Sequence, residues 1–280
     1  MTAASPLRVA CLQTTPGDDI AENLATLLAM SRQAIGGGAR FILLPEFATL
    51  LHASGRVMRK RSPPEDAHPA LPAFKALAVE AEATFLVGSL TVALPGGTLA
   101  NRSYLVGPDG TTVATYDKLH MFDATLPSGR TIRESSVYRA GTCAVAAPAP
   151  FGRVGMTICY DLRFPQLYRA LAQAGCTLLV VPSAFTAATG QMHWHALLRA
   201  RAIENAAYVI APATCGTHPG EHATFGHSLI VAPSGAVLAD GGKEPGIVMA
   251  DIDLAAAEAA RAVLPSLSHD RAFTLVSDHA

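Results

Sequence analysis

Residues 151–181 read FGRVGMTICYDLRFPQLYRALAQAGCTLLVV. Residues 151–158 form an apolar run that predicts a strand. Residues 164–174 form an Ala-rich amphipathic stretch that predicts a helix, and Gly175 supplies its stop. Residues 177–181 (TLLVV) are apolar enough for a strand covered on both faces. Strand, helix and doubly covered strand in succession imply an α/β fold built of packed layers.

The alternation continues outward from that unit. Residues 7–12 (LRVACL) and 41–44 (FILL) read as strands, and Asp19 caps a helix running towards Ile35. Gly36, Gly37 and Gly38 follow that helix and lack the lysine and hydroxyl of a phosphate loop, so they read as its stop. A helix over 69–83 and a strand over 85–90 come next. Strands over 100–107 and 111–116 then meet at the Pro108-Asp109-Gly110 turn. Residues 118–141 show little periodicity and read as one long loop. Beyond the opening unit, a helix over 192–205 precedes strands at 208–211, 228–232, 237–238 and 247–252, with a second turn at 233–235, and Asp253 caps a last short helix. No low-complexity linker interrupts the chain, which reads as one domain over residues 1–280, with strands enough for more than one sheet.

Half of the 280 residues are hydrophobic and 15% are charged, which is ample for a large core. Lys plus Arg total 21 against 22 Asp plus Glu, so no net field draws nucleic acid or an anionic membrane. Cys11, Cys143, Cys159, Cys176 and Cys215 lack CxxC or zinc-like spacing and read as reduced thiols of a cytoplasmic protein. Arg8 interrupts the short apolar run at the N-terminus, which does not read as a secretory signal, and no apolar stretch reaches the roughly 20 residues that span a bilayer. The Asn101-Arg102-Ser103 triplet matches a glycosylation sequon, an accidental match without a signal peptide.

Three segments carry chemistry. In GMTICYDLRFP (155–165) an apolar strand delivers Cys159 to a sharp strand-to-helix junction. Backbone N–H groups there can hold an anion, and the positive end of the helix dipole is expected to lower the thiol pKa. In FILLPE (41–46) a buried strand ends in proline and then Glu46, at the sheet edge where α/β ligand sites gather. In YDKLHMFD (116–123) Lys118 starts at a strand end beside an acid.

Together these segments resemble the nitrilase superfamily of carbon–nitrogen hydrolases, in the branch that holds deaminated glutathione amidase and the omega-amidases. The likeness extends to TGQMHW (189–194), LRARAIEN (198–205), GHS (226–228) and DID (251–253), in the expected order, and RES (133–135) matches a second glutamate, Glu134. The resemblance implies a four-layer α-β-β-α sandwich and an isologous homodimer, with the tail from about residue 265 crossing to the partner. It implies no cofactor and no metal. It assigns Cys159 as nucleophile and Glu46 as the base that takes its proton and later serves the leaving amine and water. Lys118, with the Tyr160 backbone N–H, would hold the oxyanion, and Glu134 would orient Lys118 or the substrate. A small carboxylate-bearing amide is the implied partner, with Tyr160, Arg163, Phe185 and His195 as substrate contacts.

Several of these positions have plain alternatives. Arg163 can grip a substrate carboxylate bidentately or pair structurally with Asp161. His195 stands where the family commonly has an acid, either as a tolerated change or as altered specificity. A metal held by His193 and His195 is not expected, because residues two apart point away from each other on a helix. His218 and His222, in a Gly-rich loop, can touch substrate or belong to a mobile segment. A nitrilase, an N-carbamoyl amino acid hydrolase or an aliphatic amidase would share the same core residues. Outside enzymes, a binding module with a worn site or a redox-sensing Cys159 remain as rivals.

Overall fold

The computed structural model describes residues 6–125, 129 and 131–276. Parts of the leader reading (1–5), of the long loop (126–128 and 130) and of the tail (277–280) lie outside the described residues.

In the first half, β1 (Leu7–Gln13), α1 (Ile20–Gly36), β2 (Phe41–Leu43), α2 (Gly55–Arg61), α3 (Ala70–Ala81), β3 (Thr84–Ala93), β4 (Leu99–Val106) and β5 (Thr112–Asp117) follow in order. The connecting segment holds β6 (Asp123–Thr125) and β7 (Thr131–Arg133), which pair as a ribbon. The second half comprises β8 (Val145–Ala149), β9 (Gly152–Met156), α4 (Pro165–Gln173), β10 (Leu178–Val180), α5 (Ala187–Asn205), β11 (Tyr208–Ala211), the ribbon β12 (Cys215–His218) with β13 (His222–Phe225), then β14 (Leu229–Val231) and β15 (Val237–Asp240). It closes with β16 (Gly246–Ile252) and α6 (Ala255–Val263).

Two six-stranded sheets result, ordered β16-β1-β2-β3-β4-β5 and β15-β14-β11-β10-β9-β8. Each centres on three parallel strands flanked by antiparallel ones. The period-2 alternation of strand side chains sorts the first sheet's residues between two cores. Val9, Cys11, Phe41 and Leu43 face the second sheet, where they join Met156, Val180 and Ile210. Ala10, Leu12, Ile42 and Leu44 face the other way, onto Leu27 and Ala34 of α1 and Phe74 and Leu77 of α3. α4 and α5 cover the far face of the second sheet, where Leu171, Trp194 and Leu198 are buried. The layers are therefore helix, sheet, sheet, helix, and each fully buried Leu or Phe contributes about 1.5–3 kcal/mol.

Local signals act as expected at several ends. Asp19 caps α1, accepting from the N–H groups of Ala21 and Glu22 at 2.8 and 3.1 Å, and Gly38 takes φ +89° after the helix stop. Among the described residues no helix is long and apolar enough to cross a membrane.

The structure differs from the sequence reading in several places, and β8 is one strand that reading did not include. α5 begins at Ala187, five residues before the expected start. The long loop carries the β6–β7 ribbon and a 3-10 turn at Glu134–Ser136. The Gly-rich histidine segment forms the β12–β13 ribbon. α2 was not foreseen, because its GRVMRKR sequence lacks an apolar stripe.

Candidate active site

The carboxyl ends of the parallel strands of both sheets meet at one place. Glu46 lies three residues past the end of β2 at Leu43, and Cys159 three residues past the end of β9 at Met156. Lys118 follows β5 directly. The sheets approach closely there: a Cβ on Gly88 would lie 2.9 Å from Pro182 Cγ.

Strand alternation decides which side chain of the Asp117-Lys118 pair enters. Asp117 turns aside to a bidentate pair with Arg102, at 2.6 and 2.9 Å. Lys118 turns inward and is only 2% exposed. Its Nζ donates to Glu46 Oε1 and to both oxygens of Glu134, all at 2.9 Å. Burial drags the Lys118 pKa down, but the two carboxylates together outweigh it and hold the ammonium well above its ordinary value. Burial raises the Glu134 pKa, and Glu46 adds to that against the pull of Lys118. Phe122 N–H fixes Glu134 Oε2 at 2.6 Å.

Glu46 is held from both halves of the molecule. Oε1 accepts from Lys118 and from Asn101 Nδ2, the latter at 2.8 Å. Oε2 accepts from the Ala184 N–H at 2.7 Å. A carboxylate has about four acceptor directions, so these three partners leave one, and the carboxylate acts electrostatically on the Cys159 thiol.

Cys159 sits at φ +48°, a left-handed conformation that costs a non-glycine residue about 1–3 kcal/mol. Its N–H donates to the Pro182 carbonyl at 3.0 Å. Asp161, fully buried, locks the turn by accepting from Ile158 N–H, Tyr116 Oη and His120 N–H at 2.9, 2.6 and 3.0 Å. The thiolate expected from a helix dipole is not what the structure gives. Cys159 opens a 3-10 turn, Cys159–Arg163, and α4 starts only at Pro165. Burial pushes the thiol pKa well above its ordinary value, with Glu46 adding to the rise and Lys118 opposing it. The resting thiol therefore keeps its proton.

A cavity of about 470 Å³ opens over these groups, lined among others by Glu46, Lys118, Glu134, Cys159, Phe122 and Tyr138. Tyr160, Arg163 and Phe185 line it as well. The Arg163 guanidinium carbon lies 5.4 Å from the Phe185 ring centroid and 5.9 Å from that of Tyr160. Its Nη2 meets His193 Nδ1 at 3.3 Å. The expected alternative, a salt bridge from Arg163 to Asp161, does not form, because Asp161 is committed to Tyr116 and His120. Among the described residues Arg163 has no acidic partner, so its charge is available to the cavity.

His195 is a correction. It points away from the cavity, and its Nε2 lies 3.0 Å from Asp240 Oδ2. On α5 it lies two positions from His193, on the side that faces β15 rather than Arg163. His222 lines the cavity. His218 is buried and does not line the cavity, its Nδ1 2.9 Å from the Pro16 carbonyl and its Nε2 2.7 Å from Thr224 Oγ1.

Sequence reasoning missed Asn101. Its amide bridges Glu46 and Glu134, at 2.8 and 3.4 Å, and its Oδ1 accepts from Ser89 Oγ. The one available signal was a run of polar residues, Asn101-Arg102-Ser103, inside the LANRSYLV strand, and it reads first as a sequon.

A family model described as carbon-nitrogen hydrolase matches residues 8–262. Deaminated glutathione amidase of Synechocystis sp. is 39% identical over 269 residues, covering 94% of this chain and 98% of that one. Omega-amidase NIT2 of Danio rerio is 33% identical over 252 residues, 89% of each chain. The crystal structure of the C. elegans NitFhit protein superposes with a TM-score of 0.89 at 33% identity, over 96% of this chain and 66% of that longer one.

Proposed function

The chain belongs to the carbon–nitrogen hydrolase family, and from that premise we propose that it hydrolyses a small carboxylate-bearing amide through a thioester on Cys159. The observation that carries this reading is the Lys118 ammonium clamped between Glu46 and Glu134, with Cys159 lining the same cavity.

An amide needs a strong nucleophile, a stabilised oxyanion and a proton for the departing nitrogen. Glu46 takes the thiol proton as sulfur attacks the carbonyl carbon. Transfer is deferred until substrate is in place, because the resting site favours the protonated thiol. Lys118 Nζ and the Tyr160 backbone N–H receive the developing oxyanion. Glu46 returns the proton to the leaving nitrogen, so that an amine or ammonia departs and the acyl group stays on sulfur. Glu46 then deprotonates water, which attacks the thioester and releases the acid and Cys159. Glu134 keeps Lys118 charged and aimed, and Arg163, braced by Tyr160 and Phe185, holds the substrate carboxylate. The two relatives named as amidases, of deaminated glutathione and of omega-amides, support this substrate class.

The same reading takes residues 1–280 as one domain, acting as a homodimer. The free state of all five cysteines suits a reducing, cytoplasmic setting.

The test is release of amine or ammonia from deaminated glutathione, an omega-amide, an N-carbamoyl amino acid, a simple nitrile and an amide without a carboxylate. Native protein is expected to prefer the carboxylate-bearing amides, and Cys159→Ala to lose at least about 10⁴-fold in kcat, the scale of removing a nucleophile. Turnover of no amide by folded native protein would overturn the proposal.

A further inference from the structure

Three side chains outside the cavity converge on one point. His195 comes from the middle of α5, His227 from the residues before β14, and Asp240 from the end of β15. Asp240 Oδ2 lies 3.0 Å from His195 Nε2, and Oδ1 lies 2.9 Å from His227 Nδ1. All three potential ligand atoms fall within 4.8 Å of one another. We propose that this is a binding site for a divalent transition metal, zinc by preference. His195 Nε2, His227 Nδ1 and a carboxylate oxygen of Asp240 would be its ligands, and water would take the fourth position.

The donor set suits zinc, which takes imidazole nitrogen and carboxylate oxygen in tetrahedral geometry. Bonds of about 2.0–2.1 Å put tetrahedral ligand atoms roughly 3.3 Å apart. Each histidine nitrogen already lies within a few tenths of an ångström of that spacing from one Asp240 oxygen, so coordination through a single oxygen needs the carboxylate and the imidazoles to readjust locally. The side chains of His195, His227 and Asp240 are 39%, 19% and 34% exposed, which leaves a path from solvent.

The ligands are also held in place. The His227 ring stacks on Phe225 with centroids 4.5 Å apart. The His227 backbone N–H donates to the Gly242 carbonyl at 2.6 Å, and the His227 carbonyl accepts from Trp194 Nε1 at 2.7 Å. Its φ of +53° is left-handed, a conformation these contacts maintain. Trp194 directly precedes His195, so one helix supplies a ligand and fixes the backbone of another. The Gly242 N–H donates to Asp240 Oδ1 at 2.9 Å. The expectation of no metal weighed His193 with His195 alone, whereas the partners of His195 come from elsewhere in the chain. A metal here clamps α5, whose first turn brings Thr189 to the cavity wall, to β15.

The test uses tag-free, chelator-treated full-length protein. Zinc binding is followed by calorimetry, and cobalt by its visible absorption. Native protein is expected to bind one equivalent, give tetrahedral cobalt bands, and unfold at higher urea when zinc is added. His195→Ala, a helix-compatible change at a part-exposed site, and Asp240→Asn are each expected to weaken binding at least about 100-fold. Circular dichroism of both variants checks that they fold. Absence of binding to native protein would mean a bare hydrogen-bonded His-Asp-His triad and would overturn the proposal. Equal binding by His195→Ala would overturn it too, as would binding abolished by Cys159→Ala or Cys143→Ala but retained in His195→Ala, which locates zinc at thiols.

Discussion

Glu46 and Glu134 share a donor in Asn101, which has no proton to give in catalysis and acts by positioning. Removing its amide leaves both carboxylates one hydrogen bond short in a buried site, where an unmet partner costs about 1–3 kcal/mol. Asn101→Ala is therefore expected to lower stability by that amount and kcat roughly 10–100-fold, with KM changed less, as for groups behind a reacting centre. Urea denaturation and steady-state kinetics check it, and stability loss with intact kcat would reduce Asn101 to a structural role. Cys159 allows a pH test whose sign follows from its surroundings. Burial and Glu46 raise the thiol pKa, so the free protein carries little thiolate at neutral pH, and each pH unit below the pKa removes tenfold more. Alkylation of Cys159 by iodoacetamide, followed by peptide mass spectrometry, should keep rising through the ordinary thiol range near pH 8.5 without a plateau. A plateau near neutrality would mean a resting thiolate.

At the scale of elements, α5 is the strongest case of tertiary packing overriding local preference. Glycine inside a helix costs about 1 kcal/mol relative to alanine, so Gly190→Ala should stabilise on propensity alone. Here a Cβ at Gly190 would lie 2.4 Å from Phe225 Cβ, because β13 packs directly on the helix. Gly190→Ala is thus expected to destabilise by about 1–3 kcal/mol, the usual cost of overpacking, in chemical denaturation. A rise in stability would show that the helix and ribbon separate easily. The same packing explains why the helix start was misplaced: the AATGQ segment has no apolar stripe of its own and turns helical against Phe225.

Across the whole molecule, the C-terminal segment is divided. Its first part is tied down, with Arg169 bonded to Asp270 and to the Ser266 carbonyl, and Gln173 Nε2 donating to the Leu267 carbonyl at 3.1 Å. Beyond it Phe273, Leu275 and Val276 are each more than 80% exposed, and just before it Val263 and Leu264 are more than 70% exposed. Apolar side chains so displayed suit burial against a second copy. Deleting residues 272–280 keeps the Arg169 and Gln173 contacts and is expected to weaken the proposed homodimer at least tenfold, about 1.4 kcal/mol, in sedimentation equilibrium. A native protein that sediments as a monomer, or a truncated one that dimerises unchanged, would remove the tail from the interface.

The sequence by itself determined the α/β class, the order of most strands and helices, and the family. Those depend on local periodicity, on stops such as Gly38, and on short motifs around Glu46, Lys118 and Cys159 whose residue types the chemistry demands. It could not rank charges by direction. Whether Lys118 or Asp117 turned inward, and whether Arg163 met Asp161 or the cavity, depended on strand pleat and on groups 15 to 72 residues away. His195 looked like a site residue because of its neighbours in the chain, yet helical geometry turned it to Asp240. The role of Asn101 was hidden for the same reason, since its carboxylate partners follow β2 and β7. Only the tertiary structure decided that the Cys159 proton stays on sulfur, because desolvation and the facing carboxylate exist only once two sheets have closed over the site.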